Sequence, residues 1–300
     1  MSVVESVTVR APAKLNLSLA VGARRADGYH PLATVFQAVS LYEEVVATPA
    51  EQLSLTVEGR DADRVPRDGS NLAWRAAELI ADHLGVPPAV HLHLRKQVPV
   101  AGGMAGGSAD AAAALLACDA LWDGGLTRER LSALAAELGS DVPFGLLGHT
   151  AVGTGRGDLL SPALSRGRYY WVLATRRDGL SAADVYARFD ALAPADLPDP
   201  EPDRGLLSAL RAADLEQVGG SLANDLEPAA LDLAPGLARS LAAARAAGAL
   251  GAMVSGSGPT VAALARGRRH ATAVGAAMTA AGECDQVQQA VGPVAGARVL

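Results

Sequence analysis

The stretch PVAGGMAGGSADAAAALLA, residues 99–117, sets two glycine pairs directly before a run of alanine and leucine. Gly102, Gly103, Gly106 and Gly107 fall within six residues, and glycine carries the largest entropic cost of ordering. A structural turn does not require so many residues without side chains. The pattern therefore indicates a backbone that another group approaches closely.

The surroundings place this stretch between a strand, predicted over residues 90–95, and a helix, predicted over residues 108–122. Free amides and the positive end of the dipole at a helix start bind phosphate, and glycines let the backbone wrap around the oxygens. Ser108 is predicted at or near the N-cap and Asp110 in the first turn, where either could simply be a capping residue. The sequence predicts an anion site at this junction.

Two well-known phosphate motifs do not fit the stretch. A Walker A loop closes with a lysine followed by serine or threonine, whereas this run closes with Gly107, Ser108 and Ala109. The dinucleotide fingerprint G-x-G-x-x-G has no register in GGMAGG. A nucleotide-binding oxidoreductase is therefore disfavoured as an alternative.

Composition and charge narrow the class of protein. Half of the 300 residues are apolar, and 26 Lys and Arg stand against 32 Asp and Glu, for a net charge of −6. This balance disfavours binding to nucleic acid but permits a local anion site. The sequence shows neither a signal-peptide pattern nor a membrane span, so we expect a soluble cytoplasmic protein, as a monomer or a homodimer. Cys118 and Cys284 lack metal-site spacing, and Cys118 is expected as a small buried residue.

The order of predicted elements favours an α+β protein with two domains, 1–162 and 163–300. In the first domain we predict strands at 6–19, 33–41, 44–47, 53–58 and 90–95, and helices at 71–84, 108–122 and 127–138. In the second we predict strands at 169–174, 252–255, 260–265 and 286–291, and helices at 182–192, 206–212, 236–247 and 270–281. The second set follows the split βαβ order of a ferredoxin-like domain. The acidic, proline-rich residues 194–203 are predicted to form a surface loop.

Three motifs together carry a family resemblance. The glycine stretch resembles the P-x-x-x-G-L-G-S-S-A-A phosphate loop of the GHMP kinases, the superfamily of galactokinase and of homoserine and mevalonate kinases. APAKLNLSL at 11–19 resembles the first motif of the superfamily. MVSGSGPTVAAL at 253–264 resembles the third, a glycine-rich turn that approaches the phosphate loop. The resemblance implies an N-terminal ATP domain of the ribosomal protein S5 domain 2-like type and a C-terminal ferredoxin-like domain.

Two further stretches, DGYHPL at 27–32 and SDVPF at 140–144, narrow the resemblance to the branch that acts on cytidine diphosphate methylerythritol. That branch implies transfer of the γ-phosphoryl group of ATP, with Mg²⁺, to the 2-hydroxyl of the methylerythritol, in the non-mevalonate route to isoprenoid precursors. Homoserine or mevalonate kinase is the nearest alternative. A GHMP-fold protein that binds ATP without catalysis is another, and such a protein should lack the equivalents of Lys14 or Asp141.

The resemblance assigns catalytic roles to Lys14 and Asp141, the second as general base. The residues alone would also suit a solvated lysine and a helix-capping aspartate. A nearby Lys14 would favour the ionised form of Asp141 and stabilise charge on the transferred group. The same resemblance assigns the ATP phosphates to the glycine loop, made up of Pro99, Val100, Ala101, Gly102, Gly103, Met104, Ala105, Gly106, Gly107, Ser108 and Ala109.

The acceptor is predicted to contact Asn16, Tyr29, His30, Asp141 and Tyr186. The resemblance implies a hydrogen bond from His30 to the cytosine and stacking of the base on the two tyrosines. On composition alone, the histidine would be an exposed turn residue and the tyrosines packing residues.

Other positions are less settled by the resemblance. Ser108 is the hydroxyl best placed for a Mg²⁺–phosphate contact. Ala182 and Ala109 stand where the family often has a hydroxyl residue. Arg156, in the glycine-rich segment 153–157, could contact a substrate phosphate or simply belong to a strand turn.

Overall fold

A computed structural model describes residues 5–194 and 197–300, and they form two β-sheets covered by helices. Residues 195–196 of the predicted loop 194–203 lie outside the described residues. The strands are β1 Val7–Val21, β2 Leu32–Pro49, β3 Ser54–Gly59, β4 Val90–Lys96, β5 Thr150–Thr154, β6 Leu159–Pro162, β7 Tyr169–Thr175, β8 Ala223–Asn224, β9 Gly251–Val254, β10 Val261–Ala265, β11 Gln286–Gly292 and β12 Arg298–Val299. The helices are α1 Leu72–Leu84, α2 Gly106–Leu121, α3 Arg128–Leu138, α4 Val142–Leu147, α5 Ala182–Leu192, α6 Arg204–Ala212, α7 Leu215–Gly220, α8 Glu227–Leu233, α9 Leu237–Ala246 and α10 Arg268–Ala280, with a 3₁₀ turn at Ala62–Arg64.

The first sheet has the order β12-β1-β2-β4-β3, with β5 and β6 continuing from one side of β2 and β8 parallel to β1. Helices α1, α2 and α3 cover one face and bury side chains such as Ile80, Leu115 and Leu134 against Leu92 and Leu94. The alanines of α2 have small side chains, so this helix packs closely against the strands. That close packing puts the start of α2 beside the part of β1 that carries Lys14.

The second sheet has the antiparallel order β11-β7-β10-β9. Counted along the chain this is 4-1-3-2, the ferredoxin-like arrangement that the element order predicted. Alternate residues of β7 serve its two faces: Val172 packs under α9 and α10, whereas Trp171 and Leu173 pack toward Leu15 and Leu17 of β1. The two sheets therefore share one core.

The structure corrects several boundaries. Strand β2 is continuous over Leu32–Pro49 where two strands were predicted; a register shift opposite Pro12 and Ala13 leaves a bulge at Ser40, whose Oγ accepts a hydrogen bond from the Val291 amide at 2.9 Å. The predicted break at residues 42–43 contains Glu43, whose charge is typical of a loop; in the structure it is fully buried within the strand and paired with Lys96. The short helices α4, α7 and α8 were not predicted.

The start of α2 also differs from the prediction. The helix begins at Gly106 with Ala105 as N-cap residue, so Ser108 is its third residue and not its cap. Asp110 does not cap the helix either: it is buried and paired with Lys96. Glycines at the N-terminus concealed the true beginning, because their low helix propensity is typical of loops.

The boundary between 162 and 163 stays a prediction. It falls after β6, which belongs to the first sheet, and before β7, which belongs to the second sheet. The short strands β8 and β12 return from the second half to pair with β1. In the part of the chain that the structure describes, no helix is both long and apolar enough to cross a membrane.

Candidate active site

The glycine loop, β1 and the SGSG turn of residues 255–258 meet at one place. The Lys14 amide donates to the Met104 carbonyl at 3.2 Å, which ties the loop to β1. Ser255 Oγ donates to the Gly103 carbonyl at 3.3 Å, and a Cβ added to Gly103 would overlap the backbone oxygen of Ser255. Gly103 is therefore required by the SGSG turn, which approaches the backbone of the glycine loop as the resemblance implied.

The loop backbone is strained. Ala101, Gly103 and Ala105 have φ of 53°, 74° and 58°, in the left-handed region. For alanine this conformation costs about 1–2 kcal/mol, and such strain clusters at ligand sites. The helix that follows has no side-chain cap, so the amides of its first turn stay available to an anion.

Lys14 is buried beside this loop. Its Nζ donates to Asn16 Oδ1 at 2.6 Å and to the Gly103 carbonyl at 3.2 Å, and lies 3.8 Å from Asp141 Oδ2. The Asn16 amide in turn donates to Thr34 Oγ1 at 2.9 Å. The solvated interpretation of Lys14 is therefore wrong, because the ammonium replaces water with three oxygen partners.

Asp141 precedes α4 but does not cap it. Its side chain makes no capping hydrogen bond, and Pro143 in the first turn has no N–H to offer. The carboxylate faces Lys14, and its side chain is 35% exposed. A carboxylate that is held beside a fixed positive charge and is still partly open to the cavity is placed to accept a proton.

These groups lie in a cavity of about 560 Å³, a volume typical of small-molecule sites. At its other end His30 is buried: Nδ1 lies 2.8 Å from the Gly22 carbonyl and Nε2 lies 3.3 Å from Asp190 Oδ1. The imidazole stacks on Tyr186 with 5.2 Å between ring centroids. The interpretation of His30 as an exposed turn residue is thus wrong.

The exposed wall of the cavity is formed by Tyr29 and Arg156. The Arg156 guanidinium lies 5.0 Å from the centre of the Tyr29 ring, which is 54% exposed. Arg156 sits in the turn between β5 and β6, where its Nη2 lies 3.4 Å from Asp158 Oδ2. The segment is therefore a strand turn whose arginine also reaches the cavity.

Tyr186 links the two ends of the cavity. Burial raises the pKa of its phenol, and the negative charge of Asp141 raises it further. The Tyr186 hydroxyl is therefore neutral and lies within the electrostatic influence of the Asp141 carboxylate. The aromatic residues and the charged pair thus line one site.

The comparisons with known proteins agree with this geometry. The family described as "GHMP kinases N terminal domain" matches residues 71–149, and "GHMP kinases C terminal" matches residues 206–284. A 4-diphosphocytidyl-2-C-methyl-D-erythritol kinase of Thermobifida fusca is 56% identical over 100% of both chains, and that of Streptomyces coelicolor is 55% identical over 98% of this chain and 99% of its own. This chain belongs to that family of GHMP kinases.

Solved structures agree on the fold. The crystal structure of a 4-(cytidine 5'-diphospho)-2C-methyl-D-erythritol kinase matches this kinase with a TM-score of 0.78 and 35% identity, over 95% of this chain and 98% of its own. A homoserine kinase from Cytophaga hutchinsonii reaches a TM-score of 0.79 at 21% identity, over 100% of this chain and 99% of its own, which shows a shared fold alone. The predicted α+β GHMP kinase fold is confirmed, and the oxidoreductase alternative is excluded.

About half of the predicted site residues of this kinase line this cavity. Those that do are Lys14, Asn16, Tyr29, His30, Gly103, Ala105, Ser108, Asp141 and Tyr186, together with Arg156 and Ala182. The other residues of the glycine loop do not line the cavity, and the side chains of Met104 and Ala109 are buried in the core; the residues outside the lining are Pro99, Val100, Ala101, Gly102, Met104, Gly106, Gly107 and Ala109. The roles of these residues in binding and catalysis stay predictions.

Sequence reasoning missed Asp190 and Arg24, which also line the cavity. Asp190 faces His30, and its Oδ2 lies 3.9 Å from Arg24 Nη1. A signal for Asp190 was present, because it follows Tyr186 by four residues on α5 and so shares its face of the helix. No comparable signal marks Arg24, which lies in the irregular segment after β1.

Cys118 is confirmed as a structural residue of α2. It is fully buried, and burial raises the pKa of its thiol to about 12. A thiol in that state is a poor nucleophile and a poor metal ligand.

Proposed function

We propose that this kinase transfers the γ-phosphoryl group of ATP to the 2-hydroxyl of 4-diphosphocytidyl-2-C-methyl-D-erythritol, in the non-mevalonate route to isoprenoid precursors. The observation that carries the proposal is the Lys14–Asp141 pair at 3.8 Å, in a cavity shared with the glycine loop and with the His30–Tyr186 stack. The names of the full-length relatives supply the acceptor.

In the proposed reaction Asp141 accepts the proton of the acceptor hydroxyl while that oxygen attacks the γ-phosphorus and ADP leaves. Phosphoryl transfer asks the protein mainly for alignment and charge stabilisation. Lys14 supplies a fixed positive charge, because Asn16 and the Gly103 carbonyl already hold its ammonium. A charge that is positioned before the reaction needs no reorganisation during it.

The acceptor is proposed to bind with its cytosine at the aromatic end. His30 is proposed to bond the cytosine through Nε2, which would exchange its contact with Asp190 Oδ1 for one with the base, while Nδ1 stays directed at the Gly22 carbonyl. Tyr29 and Tyr186 offer ring faces. Arg156 is proposed to contact the diphosphate, since a guanidinium binds phosphate oxygens in pairs.

ATP is proposed to bind with its phosphates against the glycine loop, Pro99 to Ala109, and the first turn of α2. Among residues 5–194 and 197–300, no three His, Cys, Asp or Glu side chains gather as a metal site. Mg²⁺ commonly keeps several waters and is held through substrate phosphates. Ser108 lines the cavity, and its hydroxyl fits a site in which the protein supplies a single ligand to Mg²⁺. Bound there, the metal would neutralise phosphate charge.

The test is an assay of ADP release with ATP and a single acceptor at a time: 4-diphosphocytidyl-2-C-methyl-D-erythritol, mevalonate or homoserine. We expect ADP only with the first, and a product with one phosphate on its 2-hydroxyl by mass spectrometry and NMR. Release of ADP with mevalonate or homoserine alone would reject the proposed acceptor.

A further inference from the structure

A buried cluster of three charged side chains lies beneath the glycine loop, outside the cavity. Lys96 Nζ contacts Glu43 Oε1 at 2.6 Å and also contacts Asp110 Oδ2. The side chains of Lys96, Glu43 and Asp110 are 2%, 0% and 3% exposed. They come from β4, β2 and α2, so they join three separate elements.

The cluster holds both ends of the glycine loop. Glu43 accepts hydrogen bonds from the amides of Gln97 at 2.9 Å and Val98 at 3.3 Å, where the chain leaves β4 and enters the loop. Asp110 lies in α2, where the chain leaves the loop. A Cβ added to Gly106 would lie 3.1 Å from Glu43 Oε1, so the same carboxyl also packs against the start of α2.

We propose that Glu43, Lys96 and Asp110 are positioning residues that fix the spacing between the two ends of the ATP loop. This inference rests on the proposed function and deepens it. Lys96 bridges a carboxyl on the entry side to a carboxyl on the exit side, so its ammonium sets the distance between them.

A merely stabilising role does not account for the cluster. Replacing a buried ion pair with apolar residues of similar volume is often neutral or stabilising. Apolar side chains cannot accept hydrogen bonds from the Gln97 and Val98 amides, nor join them to α2. The charges therefore contribute geometry that a hydrophobic core would not.

The protonation of the cluster is consistent with this role. Burial, together with the negative charge of Asp110, raises the pKa of Glu43 to about 8. Burial tends to lower the pKa of Lys96, but the two carboxyls outweigh it and the pKa is raised. Burial raises the pKa of Asp110 as well. A proton on one of the two carboxyls would leave the other balanced by the Lys96 ammonium, a combination that is tolerable in the interior.

The test compares a double variant, Lys96→Met with Asp110→Asn, with the wild-type kinase. It nearly keeps the volume of the two side chains and removes both charges, so we expect a thermal midpoint close to that of the wild type. Calorimetric titration with ADP should show binding weakened by about tenfold or more, because the two ends of the loop lose the link that aligns their amides with the phosphates. The KM of the acceptor at saturating ATP should change little.

Cys118→Ala is the matched control, since it also alters a fully buried side chain of α2. We expect it to lower the thermal midpoint and to leave ADP binding unchanged. A folded double variant that binds ADP as tightly as the wild type would overturn the inference. So would a rise in acceptor KM as large as the loss of ADP affinity, which would indicate general disorder.

If the double variant does not fold, Asp110→Asn decides the matter, because it keeps the shape of the side chain and removes only its charge. We expect ADP binding about three- to tenfold weaker, a smaller loss than in the double variant, because Lys96 keeps its contact with Glu43. Unchanged ADP affinity in folded Asp110→Asn would reject the inference while leaving the proposed function standing. A wild-type protein that binds no ADP would reject both.

Discussion

Lys14 places a full charge in a strand whose other side chains are mostly buried, and its neighbours make that possible. An unpaired buried ammonium would be strongly unfavourable. Here Asn16, the Gly103 carbonyl and Asp141 surround it. The interactions that stabilise the charge also aim it at the glycine loop, so stability and alignment have the same cause.

Replacing Asp141 with asparagine should lower kcat by about 10²–10⁴-fold, the usual contribution of a general base. The amide keeps the shape of the carboxylate but does not accept a proton, so the Kd of ADP should stay near the wild-type value. Asp232→Asn is the control, since this carboxylate pairs with Arg188 at 2.6 Å and does not line the cavity. Steady-state kinetics and calorimetry measure both quantities; near-normal turnover of Asp141→Asn would exclude it as the base.

Glu43 makes stability depend on pH. Its pKa rises from the usual 4.5 to about 8 on folding, so the folded chain binds more protons than the unfolded chain between these values. The free energy of unfolding should therefore fall as the pH rises through this window, by up to about 1.4 kcal/mol per pH unit for one proton. Urea denaturation at several pH values should show a shallower slope for Glu43→Gln, and an identical slope would contradict this assignment.

At the scale of elements, the glycine loop and the SGSG turn of residues 255–258 are packed backbone to backbone. Gly103 is the point of contact, and its φ of 74° adds a second reason for glycine. Gly107 differs: an added Cβ there would meet only Leu72, at 3.9 Å. Within one motif, Gly103 is thus required by packing and by its positive φ, whereas packing does not require a glycine at Gly107.

Gly103→Ala should weaken ADP binding and destabilise the fold. The added Cβ would collide with the backbone of the SGSG turn. The positive φ of an alanine at this position would lower the free energy of unfolding by a further ~1–2 kcal/mol. Gly220→Ala is the control, because nothing lies within 4 Å of a Cβ there. Thermal unfolding and ADP titration check both variants; equal stability of Gly103→Ala and the wild type would show that the two turns do not pack as described.

At the scale of the whole molecule, the two sheets are joined by a polar contact within an apolar core. Trp171 Nε1 of β7 donates to Gln37 Oε1 of β2 at 2.9 Å, and both side chains are fully buried. Buried polar groups are costly without partners, so this bond favours one alignment of the sheets. The cavity is lined by residues of both halves, and its shape depends on that alignment.

Trp171→Phe should lower the free energy of unfolding by about 1–3 kcal/mol through the unpaired Gln37 carbonyl alone, with a further loss from the cavity created. Trp74→Phe is the matched control: its Nε1 bonds Glu78 at 2.9 Å at the surface, and its loss should cost about 0.5 kcal/mol or less. Chemical denaturation measures both. Equal losses of unfolding free energy in the two variants would show that the Trp171–Gln37 hydrogen bond stabilises the protein no more than a surface hydrogen bond does.

The sequence by itself determined the motifs, the order of the main elements and the residues that the family resemblance marks in the cavity. Glycine placement and the alternation of Lys14, Leu15 and Asn16 are local signals, and they predicted the loop before α2 and the side of β1 that faces the cavity. Local signals do not state which distant residue becomes a neighbour. Only the tertiary structure decided that Lys14 is buried against Asp141, that His30 faces Asp190, and that Asp110 pairs with Lys96 instead of capping its helix. Burial and charge pairing arise when β-strands and helices far apart in the chain pack together, and no periodicity within one element encodes them.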